Sequence, residues 1–548
     1  MLLSSLVATA APTEVHTALD EVAACLPVQH DGRTLAATAG GLVLVGSDGA
    51  VEAVWTALDG LPGTRIHALA PAPAGFFVGG EDGLALVRVV DGALHVERVF
   101  ASKPVRAILT HVGTTYVATW GAGLVRLGGG GLEPIAGSAL LQSTSLAMFG
   151  GSLYVGTTTG LYRLVGDELQ KVNVALPAKL VWSLASDGKR LWVGTVAGLA
   201  SLPPSPSRGA EDVRALLFTD GKLLVGSYGG ANLVGPQVNQ VNGFGRGAQV
   251  TCVAARDGLF VRKDGADWRR AELAGLPSND VVALATVRGE LWLGTFDHGL
   301  AVRRAGAWQR VGGVDGHINA MIVDRQEKLW IATARGLGEL DPATGAMHRF
   351  TVADGLPSND VHALFALEHG VAVGTAHGLL ILEDGHFTTL NDKQGLEGDA
   401  VWALAAAGEL LWIGTSRGLF RWDLGRHKMR RYAIATGHLD EDWVTAIAVD
   451  GDDVWAGTYS RGVTHLRADR RAKKGYRAEF LQGGPVNTAG LRLDDHGLLV
   501  ATMNGLRRYE AQAWTDLVAT PGKDVTAIAS VSDGLWIASR RGIALSRR

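Results

Sequence analysis

The sequence predicts an all-β fold, and three observations support this class. The pattern Leu411-Trp412-Ile413-Gly414-Thr415-Ser416-Arg417-Gly418-Leu419 recurs about fourteen times, with a mean period of about 39 residues, the length of one four-stranded propeller blade. Glycine is abundant, with 74 residues in a chain of 548, as frequent tight turns require. No segment shows a sustained helical period. We therefore predict a series of four-stranded β-repeats.

Each repeat divides into four short strands, as the copy around Trp412 illustrates. The four predicted strands of this copy are Ala400–Leu404, Leu411–Thr415, Leu419–Trp422 and Met429–Ile434. Alternating Leu, Trp and Ile suit a pleated, half-buried surface, and Gly418 allows the tight turn before the third strand. The tryptophan position of the second strand recurs, so these side chains should pack blade against blade: Trp192, Trp292, Trp330, Trp412, Trp455 and Trp536.

The repeats are too many for one ring, because propellers usually have about four to eight blades. We predict tandem seven-bladed β-propellers, with residues 1–14 as a signal-peptide remnant, 15–270 as the first ring and 271–548 as the second. The spacing of repeats is shortest between Leu233 and Leu259, and the repeat around Cys252 lacks a separate first strand. Pro203–Ser207 stands where a fourth strand is expected. Alternatively, Glu14–Leu19 completes the last blade, so that one ring contains both chain ends.

Two motifs together resemble the two-component regulator propeller repeat. The Leu-Trp-Ile-Gly-Thr-x-x-Gly-Leu pattern accompanies Gly275-Leu276-Pro277-Ser278-Asn279-Asp280-Val281, which recurs identically at residues 355–361. The resemblance covers nearly the whole chain. It implies the paired seven-bladed rings of hybrid two-component sensors, which lie outside the inner membrane and are implicated in recognising glycan fragments. The kinase, membrane helix and DNA-binding module of those receptors have no counterpart in these residues, so the resemblance does not extend to signalling output.

Charge and hydropathy narrow the function classes. A net charge of -3 argues against a nucleic-acid partner, because such domains are normally strongly basic. No stretch approaches the roughly 18 apolar residues of a membrane helix, so no transmembrane segment is predicted. Leu2–Val7 precedes Ala8-Thr9-Ala10, which has the small-x-small spacing of a signal-peptidase site but no basic residue before it. With the family resemblance, we expect a periplasmic or secreted protein, with a cytoplasmic one as the alternative.

The two cysteines leave the redox state open. Cys25 lies in the first strand of the first repeat, and Cys252 holds the position of the recurring tryptophan. On neighbouring blades of a closed ring they could form a disulfide, but two buried, reduced thiols are the alternative we favour. The sequence has no Cys/His metal pattern, and we expect neither a metal nor another cofactor.

The candidate ligand site comes from the turns between second and third strands. In the second half of the chain these turns carry charged and aromatic residues, which we expect to converge on one funnel: Phe296, Asp297, His298, Arg335, His377, Arg417, Tyr459, Arg461, Asn504, Arg540 and Arg541. Guanidinium groups bind carboxylates and sulfates bidentately, and aromatic faces stack on sugar rings. An oligosaccharide or anionic small molecule is the predicted ligand. Alternatively, these turn residues are simply solvated.

Three function classes remain open. We favour a non-catalytic module that recognises a ligand, with a scaffold that binds a protein partner as the second class. A polysaccharide hydrolase or lyase is the third, and it needs two opposed carboxylates. The funnel turns offer only the acidic residues Glu81, Asp82 and Asp297, and the recurring Asp280, Asp360 and Asp399 are expected to cap turns. We therefore predict no catalytic residues and no enzymatic activity.

Overall fold

The computed structural model contains fourteen antiparallel sheets in the part of the chain that it describes, and the predicted all-β class is confirmed. The described residues are 12, 14–28, 32–90, 92–205, 211–231, 238–314, 316–383, 385–397, 400–517, 520–531 and 534–547. The predicted cleavage segment Leu2–Ala10, the repeat marker Leu233 and the expected turn cap Asp399 lie outside them.

The chain divides into two compact units. The terminal unit comprises Met1–His16 and Leu276–Arg548, and the inserted unit comprises Thr17–Gly275. These limits differ from the expected spans 15–270 and 271–548. The reason is β1 (Glu14–His16), which pairs antiparallel with the last strand of the chain and thereby joins the unit that contains the C-terminal repeats.

The inserted unit contains seven sheets in which consecutive strands are hydrogen-bonded neighbours. The strands are β2 Val22–Pro27, β3 Thr34–Thr38, β4 Gly41–Val45, β5 Val51–Trp55; β6 Ile66–Ala72, β7 Gly75–Gly80, β8 Gly83–Val90, β9 Ala93–Ala101; β10 Val105–His111, β11 Thr114–Thr119, β12 Gly123–Gly128, β13 Gly131–Pro134; β14 Ser143–Phe149, β15 Ser152–Thr157, β16 Gly160–Val165, β17 Glu168–Lys171; β18 Val181–Ser186, β19 Leu191–Thr195, β20 Gly198–Leu202; β21 Val213–Thr219, β22 Lys222–Ser227, β23 Gly230–Ala231; β24 Val241–Arg246, β25 Val250–Ala255, β26 Gly258–Lys263 and β27 Arg269–Arg270.

The terminal unit also contains seven sheets, and β1 is the outer strand of the last one, in the order β1-β54-β53-β52. The other strands are β28 Val281–Val287, β29 Glu290–Thr295, β30 Gly299–Arg304, β31 Ala307–Val311; β32 Ile318–Val323, β33 Leu329–Thr333, β34 Gly336–Leu340, β35 Met347–Phe350; β36 Val361–Ala366, β37 Gly370–Thr375, β38 Gly378–Glu383, β39 His386–Leu390; β40 Val401–Ala407, β41 Leu410–Thr415, β42 Gly418–Asp423, β43 Lys428–Tyr432; β44 Val444–Asp450, β45 Asp453–Thr458, β46 Val463–Ala468, β47 Tyr476–Leu481; β48 Val486–Asp494, β49 Gly497–Thr502, β50 Gly505–Glu510, β51 Ala513–Asp516; β52 Val525–Val531, β53 Gly534–Ser539 and β54 Gly542–Arg547.

Each unit closes into a ring through its inner strands. The first strand of every sheet contacts the first strand of the next sheet, and the contacts β2 with β24 and β28 with β52 close the two rings. Each unit is therefore a seven-bladed β-propeller. Short 3-10 turns precede four inner strands, and a fifth, Lys473–Gly475, precedes the outer strand β47; the first four are Ala57–Asp59, Val352–Asp354, Asp392–Gln394 and Ile434–Thr436.

Apolar side chains pack between neighbouring blades. Trp412 of β41 is 1% exposed and lies against Tyr432 of its own blade and Tyr476 of the next blade. Trp292, Trp330 and Trp536 are also buried, as predicted, whereas Trp192 and Trp455 are only partly buried. A side chain at Gly418 would meet the Tyr432 carbonyl, and the residue has φ +129°, which explains the glycine that opens the third strand.

Two expectations for the inserted unit are wrong. The repeat around Cys252 does have its own first strand, β24, which is rich in glycine and therefore escaped the hydrophobic pattern. Cys25 and Cys252 are not free thiols but form a disulfide, with Cα atoms 6.3 Å apart. A Cβ on Gly245 of β24 would lie 2.4 Å from the Cys25 carbonyl oxygen and 2.7 Å from the Cys252 sulfur, so glycine there makes room for the bridge. Among the described residues the sheet β18-β19-β20 has no fourth strand. Pro203 and Pro204 directly follow β20, and proline cannot donate a hydrogen bond to a sheet.

Candidate functional site

One residue per blade projects into the channel of each ring, and a β-bulge places it there. In every inner strand the pairing register skips after the first residue, as between Val361 and Ala363 of β36, and only in β48 is the irregularity longer. The skipped residue is left outside the ladder and can be aimed differently from its neighbours. In the inserted unit these residues are Ala23, His67, Arg106, Thr144, Trp182, Arg214 and Asn242; in the terminal unit they are Val282, Asn319, His362, Trp402, Thr445, Asn487 and Thr526.

Some of these channel residues hold the ring together. Asn319 donates from Nδ2 to the carbonyl oxygen of Val361, the residue that opens the inner strand of the next blade, at 2.7 Å. Thr144, Asn242, Thr445, Asn487 and Thr526 each make the equivalent bond to the next blade of their ring. The remaining channel residues make no such bond among the described residues. Two of these side chains bind a carboxylate instead, Arg214 that of Asp212 and His362 that of Asp360.

The terminal cavity is the channel mouth of the terminal unit, with a volume of about 380 Å³. Its lining includes the channel residues His362 and Trp402, the turn residues Phe296 and Arg540, and His317. Phe296 is 42% exposed and meets His317 edge-on, with ring centroids 5.0 Å apart.

An aromatic array begins at this cavity and extends over three blades. It consists of His362, Trp402, Trp443 and Tyr459. His362 stacks on Trp402 at 4.3 Å, Trp402 lies 6.1 Å from Trp443, and Trp443 stacks on Tyr459 at 4.4 Å. Trp443 and Tyr459 are 36% and 45% exposed. The array therefore extends from the half-buried rings of His362 and Trp402 at the cavity to the exposed rings of Trp443 and Tyr459.

Arg540 is held by carboxylates at the same mouth. Its Nη1 donates to both oxygens of Asp280, at 2.8 and 3.1 Å, and its Nε donates to Asp524 at 3.0 Å. Burial raises the pKa of Asp280, and the Arg540 charge only partly opposes this effect. Asp280 and Asp360 are expected to cap turns; in the structure the hydroxyls of Ser278 and Ser358 accept hydrogen bonds from the backbone N–H groups of Asp280 and Asp360, and the Asp280 carboxylate binds Arg540.

Asp297 and His298 form a pair in the neighbouring turn. His298 Nδ1 lies 3.0 Å from Asp297 Oδ1. Burial would raise the pKa of Asp297, but hydrogen bonds from Ser278 and His298 outweigh it and the pKa is lowered. Asp297 is thus an ionised carboxylate at neutral pH.

The other residues expected in the funnel point elsewhere. Arg335, His377, Arg417 and Asn504 are exposed, outside the cavity lining, and each donates its backbone N–H to the threonine hydroxyl that begins its turn. Arg461 donates its N–H to Glu441, and Arg541 donates its N–H to Ser539 Oγ. In three of the seven turns the residue directly after the threonine or serine lines the cavity, namely Phe296, Ala334 and Arg540, while the residue that follows it does not.

The inserted cavity is the channel mouth of the inserted unit and has a different character. Its volume is about 310 Å³, and its lining includes Arg65, His67, Arg106 and Arg214 with Trp120, Trp182 and Glu21. Arg106 Nη1 lies 3.4 Å from His67 Nδ1. Burial, with the charges of Arg106 and Arg65, lowers the pKa of His67 to about 3, so its imidazole is neutral at physiological pH.

None of the channel residues is among the candidate site residues predicted from the sequence, although the repeat pattern contains them. In every blade but one they directly follow the Val or Ile that opens the first strand, as in Val361-His362 and Val105-Arg106; Thr144 follows Ser143. Aligning the repeats on that residue, instead of on the later turn, would have placed His67, Arg106, Trp182, His362 and Trp402 together.

No cluster of three potential metal ligands occurs in the described part of the chain. Nor do the described residues contain a helix long and apolar enough to cross a membrane.

The fold and the two channel mouths define a double seven-bladed β-propeller. No protein-family model matches the sequence, and no curated protein does. Among solved structures, it is similar to PorZ, a bacterial surface component of the type-IX secretion system of Porphyromonas gingivalis, with a TM-score of 0.74 and 14% identity over 97% of this chain and 86% of PorZ. It is also similar to an ancestral GH74 enzyme, with a TM-score of 0.63 and 12% identity over 98% of this chain and 99% of the enzyme.

A third similarity is to the extracellular domain of a hybrid two component system of B. thetaiotaomicron, with a TM-score of 0.43 and 16% identity over 96% of this chain and 81% of that domain. At these identities, the similarities to PorZ and the GH74 enzyme show the fold alone.

Proposed function

We propose that the protein is a non-catalytic recognition module that binds a neutral, hydroxyl-rich ligand, an oligosaccharide, at the terminal cavity. The aromatic array of His362, Trp402, Trp443 and Tyr459 carries this proposal. Aromatic faces cover the apolar faces of sugar rings, and an extended array suits several linked rings better than one small molecule.

Unsatisfied polar atoms at the cavity support a hydroxyl-rich ligand. Trp402 Nε1 and His362 Nδ1 are both buried and have no hydrogen-bond partner among the described residues. Leaving such groups unpaired costs roughly 1–3 kcal/mol each. A ligand hydroxyl or an ordered water would remove that cost, and a hydroxyl can pair with the indole donor or with the imidazole.

The charges around the cavity support a neutral ligand over the anionic one that the turn arginines suggested. Arg540 is already engaged by Asp280 and Asp524, and Asp360 is 3.1 Å from His362. An anion entering here would meet several carboxylates and one arginine that is already paired. A neutral sugar meets no such repulsion.

The pairing of Asp280 with Arg540 also argues against catalysis. A glycoside hydrolase needs two opposed carboxylates that are free to donate and accept a proton. Asp280 is bound to Arg540 through both oxygens, and the low pKa of Asp297 does not suit a general acid. Similarity of fold to a GH74 enzyme does not transfer its chemistry.

We also propose that the protein is exported to the periplasm or beyond. The Cys25–Cys252 disulfide supports this location, because such bonds persist in oxidising compartments and are rare in the cytosol. PorZ, which has the same fold, is a bacterial surface component.

A thermal-shift screen against neutral oligosaccharides tests the ligand proposal. A ligand at about one hundred times its Kd should stabilise the folded state by about 2.7 kcal/mol. Trp443→Ala should weaken binding at least about tenfold, which corresponds to about 1.4 kcal/mol. Phe480→Ala is the matched control, since Phe480 is 49% exposed on the outer strand β47 of the same unit, outside the array.

A saturable shift that Trp443→Ala abolishes and Phe480→Ala preserves would support the site. If no oligosaccharide shifts the melting temperature, or both variants bind as the wild type does, the proposal fails. The protein-binding scaffold then becomes the better interpretation, and pull-down of a defined partner would be required to establish it.

A further inference from the structure

The geometry points to a second ligand site, in the inserted cavity, which binds an oxyanion group through Arg65, Arg106 and Arg214. This inference is independent of the proposed oligosaccharide site, because it concerns the other unit and other residues. The group recognised is a carboxylate, sulfate or phosphate, all of which accept bidentate hydrogen bonds from guanidinium.

The arginines come from three blades and converge on one cavity. Arg106 and Arg214 are the bulge residues of β10 and β21, while Arg65 directly precedes β6. All three line the same space of about 310 Å³. At the same bulge position, Thr144 and Asn242 bind the carbonyl of the next blade, a bond that Arg106 and Arg214 do not make among the described residues.

Two of the three positive charges are not neutralised by an ion pair. Arg214 donates to Asp212 at 2.8 Å. Arg65 and Arg106 form no ion pair with any described carboxylate, although Glu21 also lines the cavity and Glu81 is near enough to favour the charged Arg106. Burial and the adjacent Arg65 charge nevertheless lower the pKa of Arg106. An anion bound between Arg65 and Arg106 would relieve this repulsion.

Aromatic rings orient the guanidinium groups. The Arg106 guanidinium lies over Trp120, 5.2 Å from the ring centroid, and that of Arg214 lies over Trp182 at 5.4 Å. A guanidinium that stacks by its face leaves the N–H groups of its edge for an oxyanion, apart from the Nε of Arg214, which donates to Asp212. Trp182 Nε1 is buried without a hydrogen-bond partner among the described residues, and it offers a further donor beside Arg214.

Direct titration with sulfate tests the site, with chloride adjusted to hold the ionic strength constant. The wild-type protein should bind sulfate saturably in isothermal titration calorimetry, and Arg106→Gln should weaken binding at least tenfold. Arg65→Gln should also weaken sulfate binding. This second variant keeps the test valid if Arg106→Gln folds poorly. Arg88→Gln is the matched control, because Arg88 is an exposed arginine of the same unit, outside the cavity lining and paired with Glu97.

A second pair of probes distinguishes a free ion from an acidic sugar. Glucuronate and glucose differ by the carboxylate that the arginines would bind. Binding of glucuronate more tightly than sulfate, with no binding of glucose, would assign the site to an acidic saccharide; sulfate binding alone would assign it to a small inorganic oxyanion. The inference is overturned if neither anion binds, or if Arg106→Gln and Arg88→Gln change affinity equally.

Trp443→Ala separates this site from the proposed oligosaccharide site. That variant should leave sulfate binding unchanged, so either proposal can fail without the other.

Discussion

The two rings have the same number of blades but close in different ways. In the terminal unit, β1 from the start of the chain completes the sheet that ends at β54, with Val15 opposite Ala544. In the inserted unit every sheet is built from consecutive strands, so no strand crosses the closure between the last blade and the first. The Cys25–Cys252 disulfide and the bond from Asn242 to the Val22 carbonyl join these two blades. Where a shared sheet cannot hold the ends of the ring, a covalent bond does.

The two channel mouths also differ, in how their arginine charges are paired. The terminal cavity pairs its arginine, Arg540, with two carboxylates and presents aromatic rings. The inserted cavity leaves Arg65 and Arg106 without an ion pair among the described residues and flanks them with a neutral histidine. Since bulge positions are equivalent in both rings, side-chain identity at those positions accounts for part of the difference between the two cavities.

The largest expected effect comes from the disulfide. Cys25→Ala/Cys252→Ala opens a loop of 227 residues, and the chain-entropy model assigns such a loop about 5 kcal/mol of stability, an upper value for this change. Calorimetry should show two unfolding transitions, one per unit, and only the transition of the inserted unit should move to lower temperature. Reduction of the wild-type protein should reproduce the shift. Equal movement of both transitions would show that the ring closures are not independent.

The arginine charges beside His67 in the inserted cavity predict a pH effect at this residue. Because its folded-state pKa is about 3, below the ordinary value of 6.5, the unfolded chain binds the proton more tightly. Stability from this group is complete above about pH 6.5 and is lost as the pH falls toward 3. Between pH 6.5 and 4.5 the loss should be up to about 2 kcal/mol, since one pKa unit corresponds to about 1.4 kcal/mol and screening reduces the effect.

Urea unfolding of the wild type and of His67→Gln at several pH values measures this difference. The variant should lose less stability on acidification, whereas carboxylates elsewhere titrate equally in both proteins. The groups facing His67 are Arg65 and Arg106, with Glu21 on the same lining, so Arg106→Gln should raise the pKa of His67 and shift its NMR titration. Identical pH profiles for wild type and His67→Gln would contradict the charge difference between the two cavities.

Much of the fold could be predicted from the sequence, because each blade repeats the same local pattern. The strands around Trp412 are found within a few residues of the predicted limits, as β40 to β43. The sequence leaves the pairing of β1 with β54 as an alternative, since a three-residue strand has no pattern that identifies its partner. The sequence does not favour the disulfide, because the close approach of Gly245 that makes room for it is visible only in three dimensions.

The candidate site was harder to predict, for a physical reason. A turn of two or three residues directs neighbouring side chains to different sides, so Arg540 reaches the cavity and Arg335 does not. The β-bulge reverses the expected alternation of the inner strand, which places His362 and Trp402 in the channel although their sequence positions appear ordinary.

The closure of the terminal unit predicts an effect of intermediate size at His16. Its ring lies between Trp308 and Trp536, with centroids 5.6 and 5.7 Å away, and its Nε2 is 2.9 Å from Glu14. Because each aromatic pair contributes about 0.5–1.5 kcal/mol, His16→Ala should destabilise the terminal unit by about 1–2 kcal/mol. Denaturant unfolding should show this change only in the transition that disulfide reduction leaves in place. A shift of the other transition would contradict the idea that each closure stabilises only its own unit.

The smallest expected effect is a difference in stability between two arginine substitutions, one in each cavity. Arg540→Met leaves Asp280 and Asp524 without their cation, and because these groups are partly exposed the cost should be no more than about 1 kcal/mol. Arg106→Met removes a charge that Arg65 opposes, so the inserted unit should be unchanged or slightly more stable at low ionic strength. Paired urea melts of the two variants measure the contrast, and added salt should diminish it. If both substitutions destabilise equally, Arg106 has a carboxylate partner in solution, and the inserted cavity resembles the terminal one more closely than its geometry indicates.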